Sequence, residues 1–149
     1  MKATYRVLAY IIAGLVVLQA VWIALGGFTA IKASEAGKVL TEDSTGIGGM
    51  LHGVGGMYAI PLVTLVLLVV SFFARVQGGI KWALFILLAV AVQIFLAFMS
   101  FAVASIGALH GLNAFVIIAL SVIAGLRVGR QMRASAAQPM AEPVDRAVA

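Results

Sequence analysis

The sequence predicts an all-α integral membrane protein: a four-helix up-down-up-down transmembrane bundle built from two parallel helical-hairpin repeats. Three observations carry this. The 149 residues are 64% hydrophobic and only 10% charged, against roughly 25% charged in a soluble domain, and the mean hydropathy is +1.17. Four stretches, 7–28, 51–73, 82–104 and 109–126, approach the ~20 apolar residues that cross roughly 30 Å of hydrocarbon. Finally, the pentapeptide Gly-x-Leu-His-Gly occurs twice, at 49–53 and 107–111, and similar residues follow each copy at a constant offset of 58.

The first span, Val7 to Phe28, follows Lys2 and Arg6 as a secretory signal would. Its apolar core exceeds the usual ~7–15 residues, and Gly26-Gly27-Phe28 makes a poor cleavage site, so it reads as a retained span. The loop from Thr29 to Gly49 carries Glu35, Glu42 and Asp43, three of the five acids. The second span, Leu51 to Phe73, contains Pro61, expected to bend it because proline removes a hydrogen bond and crowds the preceding turn. The third is Trp82 to Ala104. Ser105 to Gly107 then leaves room only for a tight hairpin before Leu109 to Leu126. Residues 1–130 thus form the transmembrane domain. Residues 131–149, rich in alanine and containing Pro139 and Pro143, are expected to be a disordered tail.

At the offset of 58, Leu62 matches Leu120, Val70 matches Val128 and Arg75 matches Arg133. The odd helices follow suit. Gln19 lies 13 residues beyond Arg6 and Gln93 lies 12 beyond Lys81, so the glutamines share a depth and read as interhelical glue more readily than as ligands. Helices two and four run the same way and are expected to be diagonal, placing His52 and His110 across the interior. Tyr5, Tyr10, Trp22 and Trp82 lie towards span ends and read as interface anchors.

Eight of the ten basic residues, Lys2, Arg6, Arg75, Lys81, Arg127, Arg130, Arg133 and Arg146, fall on one side of these spans. Lys32 and Lys38 fall on the other. The positive-inside rule then places both termini in the cytoplasm of a multi-pass protein of the bacterial plasma membrane. Because the cations flank apolar segments, the net charge of +5 reflects topology and not nucleic-acid binding. The absence of cysteine excludes disulfides, iron–sulfur clusters and thiolate ligands.

His52 and His110 are the only histidines. Ionisable groups at membrane depth are costly and usually functional. Two imidazoles fall short of the three or four protein ligands of a zinc site, although Glu42 and Asp43 lie near the first. They suffice for a six-coordinate haem, whose porphyrin supplies four nitrogens. Gly53 and Gly56 beside His52, and Gly111 beside His110, allow close backbone approach to such a group. Asn113 shares a face with His110 and is placed to bond a ligand or a propionate, as are Lys32 and Lys38 more remotely. Two other readings stay open: a structural pair, with Gly-x-x-x-Gly spacing serving helix packing alone, and a proton relay or another metal.

A four-span unit with histidines at the outer ends of helices two and four resembles one half of haem A synthase. It is also similar to small bacterial four-span membrane proteins with a Leu-His-x-x-Asn fourth span, here Leu109-His110-Gly111-Leu112-Asn113. The resemblance covers roughly Val7 to Gly129 and implies His52 and His110 as haem ligands. The synthase glutamate just before the first histidine is replaced here by Gly48-Gly49-Met50-Leu51. The cysteine pair of many synthases and the whole second half are missing too. Synthase catalysis is therefore disfavoured.

The expected function is a bis-histidine haem b protein serving electron transfer or haem handling. A quinone or a membrane redox partner, and self-association or association with other subunits, are the partners to be expected. The rival is a cofactor-free accessory subunit of a larger membrane complex.

Overall fold

The computed structural model describes residues 1–137. Helix α1 spans Lys2–Glu35, and a short 3-10 turn covers Glu42–Thr45. Helix α2 (Gly46–Val54) passes through a π-helical turn (Gly55–Ala59) into α3 (Ile60–Phe73). Helices α4 (Gly79–Ala102) and α5 (Ile106–Ala137) complete the chain, with no strand among the described residues. Four helical rods are long and apolar enough to cross a membrane: Lys2–Glu35, Asp43–Phe73, Gly79–Ala102 and Ile106–Ala137.

Helices α1 and α5 overrun the expected spans at both ends. Gln131 to Ala137, expected in the tail, continue α5 as helix, and residues 138–149 lie outside the described residues. The stops have local causes. Gly37 takes a left-handed φ of 70°, and the amides of Gly37 and Lys38 close back on the carbonyls of Ser34 and Ala33, the glycine-terminated cap that satisfies orphan carbonyls. Before α4 the chain turns through Arg75 (φ 49°) and Gly78 (φ 72°). Between α4 and α5 only Val103 to Ser105 are non-helical, closed by the Ile106 amide on the Val103 carbonyl at 3.0 Å.

Helix α1 packs on α2, α3 and α5, and α4 packs on α3 and α5. The seams are lined by small residues, with Ala9, Ala83 and Ala124 almost wholly buried, while Leu62, Phe72, Leu88, Phe95 and Phe115 stay exposed. Such a distribution suits lipid, where close backbone approach and not apolar burial drives helix association. At the tightest seam, a Cβ on Gly48 would lie 2.6 Å from the Trp22 carbonyl oxygen and 2.9 Å from Gly26 Cα. Tyr5, expected at a membrane interface, is instead buried, because its hydroxyl donates to the Gly79 carbonyl at 2.9 Å. Tyr10 lies against Gly125, and Trp82 carries the Arg127 guanidinium 5.4 Å from its ring centre.

At Pro61, expected to bend the second rod, the structure shows a change of register. With no amide hydrogen at position 61, the usual bond to Met57 cannot form, and the preceding turn widens to the π pattern over Gly55–Ala59. A π turn absorbs one extra residue. The buried face of α3 is Ile60, Thr64, Leu67 and Ser71, and that of α5 is Ile117, Ser121, Ala124 and Val128. These positions pair at an offset of 57 and not the 58 that aligns the two histidines. The sequence match of Leu62 with Leu120 is therefore not a match of environment: Leu62 is 62% exposed, whereas Leu120 packs against the core.

Candidate functional site

His52 lies on α2 and His110 near the start of α5, both partly buried. Their ring centres are 6.2 Å apart, with planes inclined at 63°. The fold therefore brings together the two side chains the duplicated pentapeptide singled out. Each ring is held by the backbone of the helix packed against it. His52 Nδ1 is 3.1 Å from the Gln19 carbonyl oxygen, and His110 Nδ1 is 3.1 Å from the Gln93 carbonyl oxygen. A carbonyl only accepts, so each Nδ1 carries a hydrogen, and in the neutral ring Nε2 is the nitrogen with the lone pair. Fixing one ring nitrogen on a carbonyl is the usual way a ligating histidine is oriented.

The glutamine side chains diverge. The Gln93 carboxamide donates from Nε2 to His110 Nε2 at 3.1 Å and accepts on Oε1 from Asn113 Nδ2 at 2.7 Å. Asn113 Nδ2 also donates to the Ala89 carbonyl at 2.8 Å. This is the interhelical glue expected of a membrane glutamine. The Gln19 carboxamide is more deeply buried, at 8% exposure, yet neither its oxygen nor its nitrogen has a partner. It lies over Gly55 and, at 3.5 Å from a Cβ there, over Gly56.

The glycines named from sequence separate into two kinds. Gly53 and Gly111 are exposed, and a Cβ on either meets nothing within 4 Å, so the flanks of both histidines are open; Gly56 faces Gln19. Lys32 and Lys38 are exposed and bond to neither histidine. Among the described residues no group of three His, Cys, Asp or Glu side chains converges. Two shallow hollows, of about 240 Å³ beside Arg75 and Lys81 and about 320 Å³ beside Ser34 and Glu35, lie away from the histidine pair.

Sequence reasoning missed the carbonyls of Gln19, Gln93 and Ala89, which carry no side-chain signature. It also passed over Gly55, although the offset of 58 sets that glycine against Asn113. No protein-family model, curated protein or solved structure matches the chain.

Proposed function

We propose that this chain is a membrane-embedded bis-histidine haem b protein serving electron transfer or haem handling, with His52 and His110 as axial ligands. The observation that carries this is the close pair of imidazoles, each with Nδ1–H on a backbone carbonyl, 6.2 Å apart between ring centres. Two imidazoles on opposite sides of one metal, at bond lengths of ~2.0–2.1 Å, have ring centres roughly 6 Å apart. Donor type, tautomer and separation thus fit the group. The open flanks at Gly53 and Gly111 supply lateral room, and the Asn113 amide lies beside the pair.

Bound there, haem supplies one-electron redox chemistry; the chain's own part is to fix the rings and bar other ligands. If His52 and His110 both held the haem, its electron-exchange partner would be a quinone or a membrane redox protein. Neighbouring helices approach end to start, as Gly26 does Gly48 and Tyr10 does Gly125. This supports an up-down-up-down bundle of two hairpins in the bacterial plasma membrane, with both termini in the cytoplasm.

The test is an absorption spectrum of the purified protein, oxidised and dithionite-reduced, beside His52→Ala and His110→Ala. A Soret band with sharp reduced α and β bands, altered in both variants, is expected. A featureless spectrum after expression with ample haem would favour the second reading, a cofactor-free accessory subunit. One observation supports that rival: the His110, Gln93 and Asn113 network is already satisfied without a ligand.

A further inference from the structure

The two histidines are held differently, and the difference traces to one position in each helix. Asn113, three residues after His110, clamps the Gln93 carboxamide through Oε1 at 2.7 Å, which aims Gln93 Nε2 at His110 Nε2, 3.1 Å away. Both His110 nitrogens are thereby engaged. Three residues after His52 stands Gly55, which has no side chain to hold Gln19. Gln19 consequently bonds nothing through its amide, and the one hydrogen bond of His52 among the described residues is Nδ1 to the Gln19 carbonyl. No described protein group bonds its Nε2.

Resting on the haem reading above, we infer that Gln93, positioned by Asn113, is a latch on the second axial ligand: haem is captured by His52 first, and His110 follows only when Gln93 lets go of its Nε2. A single lone pair cannot accept the Gln93 hydrogen and bind iron together. Ligation by His110 would therefore require Gln93 to release Nε2, whose lone pair would then replace the water or anion on ferric iron with no change of oxidation state. His52 needs no such release. The latch keeps the haem-free protein from presenting two bare imidazoles in the membrane, and it orders assembly.

The test mixes the full-length, haem-free protein in lipid nanodiscs with ferric haemin and follows the spectrum by stopped flow. The wild type should show a fast high-spin phase and then a slower conversion to low spin. Gln93→Leu and Asn113→Leu, on different helices, should each speed the second phase about two- to tenfold, the factor corresponding to one neutral hydrogen bond, and leave the first unchanged. His110→Ala should retain the first phase and stop at high spin, whereas His52→Ala should lose it. A second readout needs no haem: ¹⁵N spectra of the imidazoles should show one hydrogen-bonded and one free Nε2, the former becoming free in Gln93→Leu.

Failure of the two readings is distinguishable. If the wild type forms low-spin haem but His52→Ala keeps the fast phase, or neither Leu variant speeds the second, the latch is overturned while the haem reading stands. Matching Nε2 signals in the haem-free wild type would also overturn it. A wild type that takes up no haem overturns both.

Discussion

Gln19 and Gln93 share a residue type and a depth, yet they should respond in opposite ways to the same substitution. The Gln19 carboxamide is buried with both polar atoms unpartnered, and a buried polar group without a bond costs about 1–3 kcal/mol. Gln19→Leu should therefore raise the stability of the protein by about 1 kcal/mol, while the Gln19 carbonyl continues to hold His52. Gln93→Leu should lower it by about 1–3 kcal/mol, since His110 Nε2 loses its donor and Asn113 one acceptor. Thermal unfolding followed by circular dichroism in nanodiscs measures both; equal shifts of the same sign would show that the asymmetry is not energetic. Glycines divide in a similar way. Gly48→Ala drives a Cβ into the backbone of Gly26 and Trp22, which cannot rotate away, so a loss of about 1–3 kcal/mol is expected. Gly14→Ala meets nothing within 4 Å, and its gain in helix propensity should stabilise by up to about 1 kcal/mol. The same melts decide this pair.

At the scale of elements, the π turn of Gly55–Ala59 explains how two similar helices present different faces. Each residue added to an α-helix turns it by about 100°. Without the wider turn, either His52 would swing away from Gln19 or Leu67 and Ser71 would leave the core. Deleting Met57, exposed inside the π turn, together with Pro61→Ala, which restores the missing amide hydrogen, should let this stretch close to ordinary α-helix with both flanks in place. The variant should elute as a single species with near wild-type helix content. Deleting Val66, within α3, should rotate its N-terminal part against the rest and yield aggregate on size exclusion. If the two deletions behave alike, the π turn is not what sets the register. This is also where the sequence ceased to be legible. The rods could be read because apolar length and flanking charge are properties of side chains, and the histidine pair because a duplicated motif puts both at one depth. The π turn left no gap in the repeat: the offset of 58 runs straight through it, and only the burial of Ile60 against Ile117 exposes the shift to 57. Tyr5 misled for a related reason. An aromatic near a span end has the same sequence signature whether it faces headgroups or, as here, a carbonyl on a neighbouring helix.

For the whole molecule, sidedness is the property on which the functional reading depends, because it decides which compartment the histidine pair adjoins. Contacts gather the basic residues at one end: Arg6 lies near Gly129, Arg127 over Trp82, and Gln77 is bonded to Gln131. The loop carrying Lys38 follows the far end of α1, near the end of the bundle where His52 sits. The positive-inside rule assigns the basic end to the cytoplasm, so the histidines should lie towards the outer face. A chain without cysteine makes this directly measurable. Lys38→Cys should react in intact cells with a membrane-impermeant maleimide, and Gln77→Cys, in the exposed turn before α4, only after permeabilisation. Gln131→Cys, at the same end as Gln77, should behave like Gln77→Cys. The opposite pattern would invert the bundle and turn the histidine pair towards the cytoplasm. Labelling of Lys38→Cys and Gln77→Cys alike in intact cells would mean that the single rod between them, Asp43–Phe73, does not cross, and the four-span architecture would fall with it.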